Sequence, residues 1–151
     1  MLAFTHLAFG LLSGLLALPL VKPESTATFL IVTAAAALLP DIDHHGSTIN
    51  RIFFFTKLVP MLFRHRGFFH SIWPAAIIGA ILFYTTTPTI ASAVVLGYLS
   101  HLLADSFTRE GVNWLYPLFK FKIQGFITTG TLLETVVLCV IIGLIGLKVL
   151  G

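Results

Sequence analysis

The residues of this sequence that could hold a metal ion are His6, the run Asp41-Ile42-Asp43-His44-His45, His65 and His70 within His65-Arg66-Gly67-Phe68-Phe69-His70-Ser71, the pair His101 and Asp105, and Glu134. Each sits near an end of an apolar segment. Ionisable groups at membrane depth are costly to place, so their gathering in so apolar a chain points to function. His101 and Asp105 are four positions apart, which on a helix sets them on one face, where both can grip a metal. In isolation the same spacing also suits a helix-end histidine paired with a carboxylate. Just past Pro40, Asp41 and Asp43 alternate and can project two carboxylates toward one site. Oxygen donors suit zinc, manganese or magnesium, and a bridging carboxylate suits a centre with more than one ion. The bland alternative is a solvated acidic turn facing Arg64 or Arg66.

The chemistry such a set serves is hydrolysis by a metal-activated water. Asp43, His65 and Glu134 are the candidates for general base or for positioning that water. Arg66 presents a planar, permanently charged fork that matches a phosphate bidentately, and Arg109 is a second candidate for the same anion. Arg66 also has a simpler use as a topological anchor. His44 is a further candidate ligand, or an orienter of one, whereas His45 and Glu110 belong to the surface. Five positions separate His65 from His70, so a turn at Gly67 has to bring both inward. Ser71 reads as a helix cap rather than a nucleophile.

The elements that must position these groups are apolar helices. The chain is 57% hydrophobic and 10% charged, with a mean hydropathy of +0.98; soluble domains carry about 25% charged residues. The expected fold is all-α: a polytopic integral membrane helix bundle, one domain over residues 1–151, with about five transmembrane helices plus short interfacial helices. The candidate spans run from about Leu2 to Val21, Thr26 to Leu39, Ile72 to Thr86, Ile90 to Phe107 and Thr131 to Leu150. The first, fourth and fifth approach the roughly 20 residues a bilayer core requires, and the other two are shorter. The first lacks a preceding basic region and is expected to be a retained helix rather than a signal peptide. Ile52 to Phe63 is apolar but too short to cross and is interrupted by Lys57 and Pro60, so an interfacial or re-entrant helix at headgroup level is expected; Val112 to Ile127, which mixes aromatic and basic residues, is expected to behave similarly. The single cysteine, Cys139, excludes an intramolecular disulfide and a cysteine-based zinc site.

Charge supplies an orientation. Arg51, Lys57, Arg64, Arg66, Arg109, Lys120 and Lys122 fall in two loops on the side of the first span's start, against Lys22 and Lys148 on the other side. The positive-inside rule then predicts that these loops, and with them every candidate ligand, face the cytoplasm. The net charge of +3 and pI near 9.3 are spread over loops and form no basic stripe, so nucleic acid is not an expected partner.

Taken in order, Thr5-His6, Leu39-Pro40-Asp41-Ile42-Asp43-His44, His65 to Ser71, Gly97-Tyr98-Leu99-Ser100-His101-Leu102-Leu103-Ala104-Asp105-Ser106-Phe107-Thr108, Gly111-Val112 and Tyr116-Pro117 resemble the YdjM-like family. Its members are small bacterial and archaeal inner-membrane proteins described as metal-dependent hydrolases. The resemblance implies a helical membrane hydrolase with ligands at His6, Asp41, Asp43, His70, His101 and Asp105. A more distant similarity, to zinc-dependent phospholipase C, implies a zinc cluster that includes a His-x-x-x-Asp pair. The expected cofactor is one to three divalent ions, zinc foremost, with manganese or magnesium as alternatives. The expected partner is membrane lipid, with a phospholipid or other amphipathic phosphoester as substrate. Two rival functions remain open at this point: a metal or proton transporter, and a non-catalytic metal-binding membrane regulator.

Overall fold

The computed structural model describes residues 1–43 and 67–150, for Ile42 and Asp43 the backbone alone. Among the described residues five α-helices follow one another: α1 (Ala3–Val21), α2 (Thr26–Ala36), α3 (Ile72–Thr85), α4 (Pro88–Ser106) and α5 (Leu132–Leu150). Two 3-10 turns, Leu39–Asp43 and Phe68–His70, follow α2 and precede α3. Local chemistry explains the starts of α2 and α4. The Ser25 and Thr87 hydroxyls accept from the Thr28 and Ile90 amides at 3.3 Å, and Pro88 occupies the first turn of α4, where no amide is needed.

α1, α4 and α5 are each 19 residues long and apolar enough to cross a bilayer. At 1.5 Å per residue each is about 28 Å long, close to the thickness of a hydrocarbon core. α2 and α3 are apolar but shorter. Outward-facing residues such as Phe4, Leu20, Ile31, Tyr84, Leu147 and Leu150 are largely exposed. In water such a surface would drive association; against lipid it costs nothing.

Small residues set the distances between helices. A Cβ built on Gly10 of α1 would lie 3.1 Å from the Thr33 carbonyl oxygen of α2, and one built on Gly97 of α4 would lie 2.2 Å from that same oxygen. α1 and α4 therefore clasp α2 by backbone approach, the means by which helices associate where lipid removes any hydrophobic drive between them. The contacts also fix direction. Gly10 meets Ala37 and Gly14 meets Leu30, so α1 runs against α2, whereas Gly97 meets Thr33 and His101 meets Ala37, so α4 runs with it. α3 packs on α4, with Gly79 against Val95, and α5 packs on α1. The start of α1, the end of α2, the start of α3, the end of α4 and the start of α5 thus share one end of the bundle.

The expected interfacial helix from Val112 to Ile127 does not form. Residues 107–130 make a loop closed by isolated bridges between Thr108 and Ile127 and between Val112 and Ile123, with Gly111 at a φ of 60°. Helix is unfavourable here because Gly111, Pro117 and Gly125 punctuate the run. Paired backbone amides, such as Val112 N–H to Ile123 at 2.8 Å, replace the helical bonds. The companion segment, Ile52 to Phe63, lies outside the described residues. Ser71 does occupy the N-cap position of α3, but its hydroxyl donates back to the Phe68 carbonyl at 2.6 Å instead of capping an α3 amide.

Because a methyl at Gly97 would meet backbone rather than a yielding side chain, Gly97→Ala is expected to cost about 1–3 kcal/mol, the usual penalty of overpacking. Gly143, on α5, has nothing within 4 Å of its virtual Cβ, and Gly143→Ala should stay within about 0.5 kcal/mol of the parent. Thermal unfolding in detergent compares the two; equal melting temperatures would show that the α2–α4 contact does not limit stability.

Candidate metal centre

Five of the predicted ligands meet at this shared end. His6 comes from the first turn of α1, Asp41 from the 3-10 turn after α2, His70 from the one before α3, and His101 and Asp105 from the last turns of α4. The rings of His6 and His101 stack, with centroids 3.7 Å apart and planes within 11°, and His70 meets His101 edge-on at 5.2 Å. His70 Nε2 lies 3.4 Å from His101 Nε2, and each of these nitrogens is 3.7 Å from Asp41 Oδ1. Asp105 Oδ2 is 3.9 Å from His70 Nε2 and 3.8 Å from His101 Nε2. His6 Nε2 is 3.4 Å from Asp105 Oδ1. All of these side chains are fully buried except that of Asp41, which is 24% exposed.

One contact sets the chemistry of His101. Its Nδ1 lies 2.7 Å from the Ala37 carbonyl oxygen. A carbonyl only accepts, so Nδ1 carries the proton and Nε2 of the neutral ring presents a lone pair to the other donors. His70 is held through its own turn, where the Tyr98 hydroxyl donates to the Phe69 carbonyl. The Met1 amino group lies 2.5 Å from Asp105 Oδ1, which leaves Oδ2 as the oxygen that faces His70 and His101. At Asp41, burial opposes ionisation, but the His70 ring beside it holds the carboxyl below its ordinary range.

The donors fit a metal ion. Among the described residues, neither ring nitrogen of the buried His6 finds a hydrogen-bond partner of acceptable geometry, a costly arrangement unless something else meets the ring. His6, Asp41 and His101 each offer a donor within 4.8 Å of the others, as do His70, His101 and Asp105. Two ligands of a tetrahedral zinc lie about 3.3 Å apart, so spacings of 3.4–3.9 Å need only a slight contraction. Three imidazoles and two carboxylates suit zinc better than magnesium, which takes oxygen donors. His101 belongs to both groups, which centres them on one locus.

A model of the YdjM inner membrane protein family matches residues 1–150. The chain belongs to the YdjM family. It is 33% identical over 112 residues to the uncharacterized protein YvsG of Bacillus subtilis, an alignment covering 70% of this chain and 68% of that protein. It is 41% identical over 88 residues to the inner membrane protein YdjM of Escherichia coli, covering 53% of this chain and 44% of that protein, so the match spans less than half of the longer relative. No solved structure matches the chain. With relatives named inner membrane proteins and three helices fit to cross a bilayer, this YdjM-family chain is a membrane protein.

Not every predicted site residue joins the cluster. Glu134 is buried at the start of α5, but one of its oxygens accepts from the Leu2 amide at 2.6 Å and from the Thr5 hydroxyl at 3.0 Å, and the other from the Gly130 amide at 2.6 Å. It ties the start of α5 to the start of α1 and is not among the grouped donors. Arg109 is exposed in the loop after α4. The side chain of Asp43, and His44, His45, His65 and Arg66 altogether, lie outside the described residues. Sequence reasoning assigned no role to the Ala37 carbonyl, which no side-chain pattern could reveal. Tyr98, three positions before His101, carried a usable signal: a hydroxyl on an apolar helix, next to the ligand-bearing face.

Removing the Glu134 carboxylate strands three donors at once. Glu134→Ala is expected to lower stability by about 1.5–3 kcal/mol, the range for hydrogen bonds to a charged group, without changing metal content. Melting in detergent alongside elemental analysis checks both; loss of metal at unchanged stability would move Glu134 into the coordination sphere.

Proposed function

We propose that this YdjM-family protein is a membrane-bound metal-dependent hydrolase that cleaves a phosphoester of a lipid or other amphipathic substrate, with zinc as the metal. The observation that carries this reading is the convergence of His6, Asp41, His70, His101 and Asp105 from separate elements upon one buried locus. With the imidazoles neutral, two carboxylates against the single Met1 amino group still leave that locus net negative, and a divalent cation is a natural counter-charge. When bound, such an ion supplies a water acidified toward neutrality and polarises a phosphoryl oxygen.

The protein's own residues do the rest. The Ala37 carbonyl holds His101 in the tautomer and orientation that a ligand needs. Asp105, pinned through Oδ1, keeps Oδ2 toward His70 and His101. Asp41 is the partly exposed member of the five, so a substrate phosphate would arrive past its carboxylate. Arg109, exposed one turn beyond Asp105, is the described cation nearest in sequence to take that phosphate. Seven of the nine basic residues fall in two sequence segments, 40–71 and 108–130, whose described residues lie at this end, which supports a cytoplasmic orientation.

Transport fits less well. Among the described residues the buried ionisable groups, His6, His70, His101, Asp105 and Glu134, all lie at one end of the bundle. A pathway for protons or metal ions would continue such groups through the other half.

Protein purified without chelator is expected to hold zinc and to release a water-soluble phosphate product from phospholipid micelles. Chelation should abolish turnover and added zinc restore it. His101→Ala and Asp105→Asn should each cost more than the roughly 10–100-fold that loss of an outer partner costs, with helix content by circular dichroism unchanged. Bound zinc without turnover on any lipid phosphoester would favour a non-catalytic metal-binding regulator. No metal in the parent protein would end the proposal.

A further inference from the structure

The loop between α4 and α5 is an unusual object to leave at the surface. Leu118, Phe119, Phe121 and Phe126 are 61–75% exposed. Lys120 and Lys122 alternate with Phe119 and Phe121, are exposed, and pair with no described residue. Between 107 and 131 the chain carries three basic residues, Arg109, Lys120 and Lys122, against one acid, Glu110.

The loop is also built rather than loose. Its neck is laced by Arg109 N–H to the Ile127 carbonyl at 2.9 Å, Ile127 N–H to Phe107 at 3.0 Å, Gly125 N–H to Thr108 at 2.9 Å, and a reciprocal Val112–Ile123 pair at 2.8 and 2.9 Å. A Cβ at Gly125 would stand 2.4 Å from the Phe107 carbonyl oxygen, so the two strands of the neck touch. Val112 and Ile127 are buried, in clusters with Tyr98 and Leu102 and with Ala104 respectively. The tip is therefore presented by a neck rooted in the bundle, and its ordering entropy is already spent before anything binds. Both flanking helices are long and apolar enough to span the bilayer and meet the loop at the same end, which confines the tip to the neighbourhood of one headgroup layer.

We propose that residues 115–126 form a preformed anchor for anionic phospholipid, in which the exposed Phe and Leu side chains enter the interface and Lys120 and Lys122 pair with headgroup phosphates. Aromatic rings favour the interface, and lysine stems extend along apolar surface to bring their charge to phosphate depth. Each lysine near an anionic surface enriches acidic over neutral lipid about fivefold. A soluble protein partner would prefer the same rings but would leave the tip out of lipid, and so is separable by experiment.

The test uses Phe121→Trp in the full chain, reconstituted in phosphatidylcholine nanodiscs that carry doxyl-labelled phosphatidylglycerol or doxyl-labelled phosphatidylcholine, with the parent emission from Trp73 and Trp114 subtracted. The anchor requires that the added tryptophan be quenched by both labels and several-fold more by the glycerol lipid. Lys120→Gln with Lys122→Gln should erase that preference and keep the quenching by labelled phosphatidylcholine. Raising salt on the protein with both lysines intact should weaken the preference likewise, which guards against misfolding of the double variant. Absence of quenching by either label overturns the proposal, as does equal quenching by both in the presence of both lysines.

Discussion

The close approach of α1 and α4 to the backbone of α2 is the constraint from which the rest of the structure follows. Lipid solvates leucine as well as leucine solvates itself, so helices in a bilayer are held by contact and by hydrogen bonds rather than by exclusion from solvent. At Gly10 and Gly97 the side chain is absent, and the Thr33 carbonyl comes within the space a Cβ would claim. One turn from each glycine toward the shared end, the ring of His6 meets the ring of His101. Just past α2, the Ala37 carbonyl accepts a hydrogen bond from His101 Nδ1–H. The backbone that sets the spacing of the helices thus also selects the tautomer of His101. Site geometry and helix packing are a single variable, and a change in one moves the other.

That coupling bears on how so much polarity is tolerated. Three imidazoles and two carboxylates at one locus, four of the five fully buried, would be hard to justify as a source of stability, since desolvation of charge offsets most of the attraction regained. The bundle confines the expense. Among the described residues, the buried polar groups other than Thr33 belong to the turns and helix ends around the locus, while the outward faces of the helices remain apolar. Glu134 follows the same logic with a different result. Its carboxylate is satisfied by the amides of Leu2 and Gly130 and the hydroxyl of Thr5, so a charge that sequence alone offers as a catalyst becomes a fastener between α1 and α5.

Much of this was legible beforehand, for a physical reason. In a chain this apolar, hydropathy alone marks the helices, and all five form within a few residues of their expected bounds. The cluster was legible because polar side chains in such surroundings have few reasons to be there: the side chains of His6, Asp41, His70, His101 and Asp105, singled out in the sequence, lie together at one end of the bundle. What escaped was whatever depends on backbone. The loop from Val112 to Ile127 has the composition of an interfacial helix, yet Gly111, Pro117 and Gly125 favour paired extended segments, and composition carries no information about that pairing. Ser71 sits where a cap belongs and bonds backward instead. Glu134 illustrates the remaining gap: an unpaired acid in an apolar run signals a partner without saying whether that partner is a cation or a set of amides.

The far end of α4 joins these threads. One turn after His101 comes Asp105, whose backbone carbonyl accepts from the Thr108 hydroxyl at 2.7 Å. Thr108 then opens the neck of the loop, and Ser106 accepts from the Trp114 indole at 2.9 Å, while the Trp114 carbonyl accepts from the Ile72 amide at the start of α3. Asp105, the helix end and the loop neck are therefore consecutive parts of one bonded unit rather than separate features that share a surface. If the loop tip rests in anionic lipid, the depth at which it rests determines where the headgroup layer stands relative to Asp41, the exposed edge of the cluster. Under the proposed hydrolysis of membrane phosphoesters that distance would have to be held constant, and a rigid neck that begins one turn from Asp105 is a direct way to hold it.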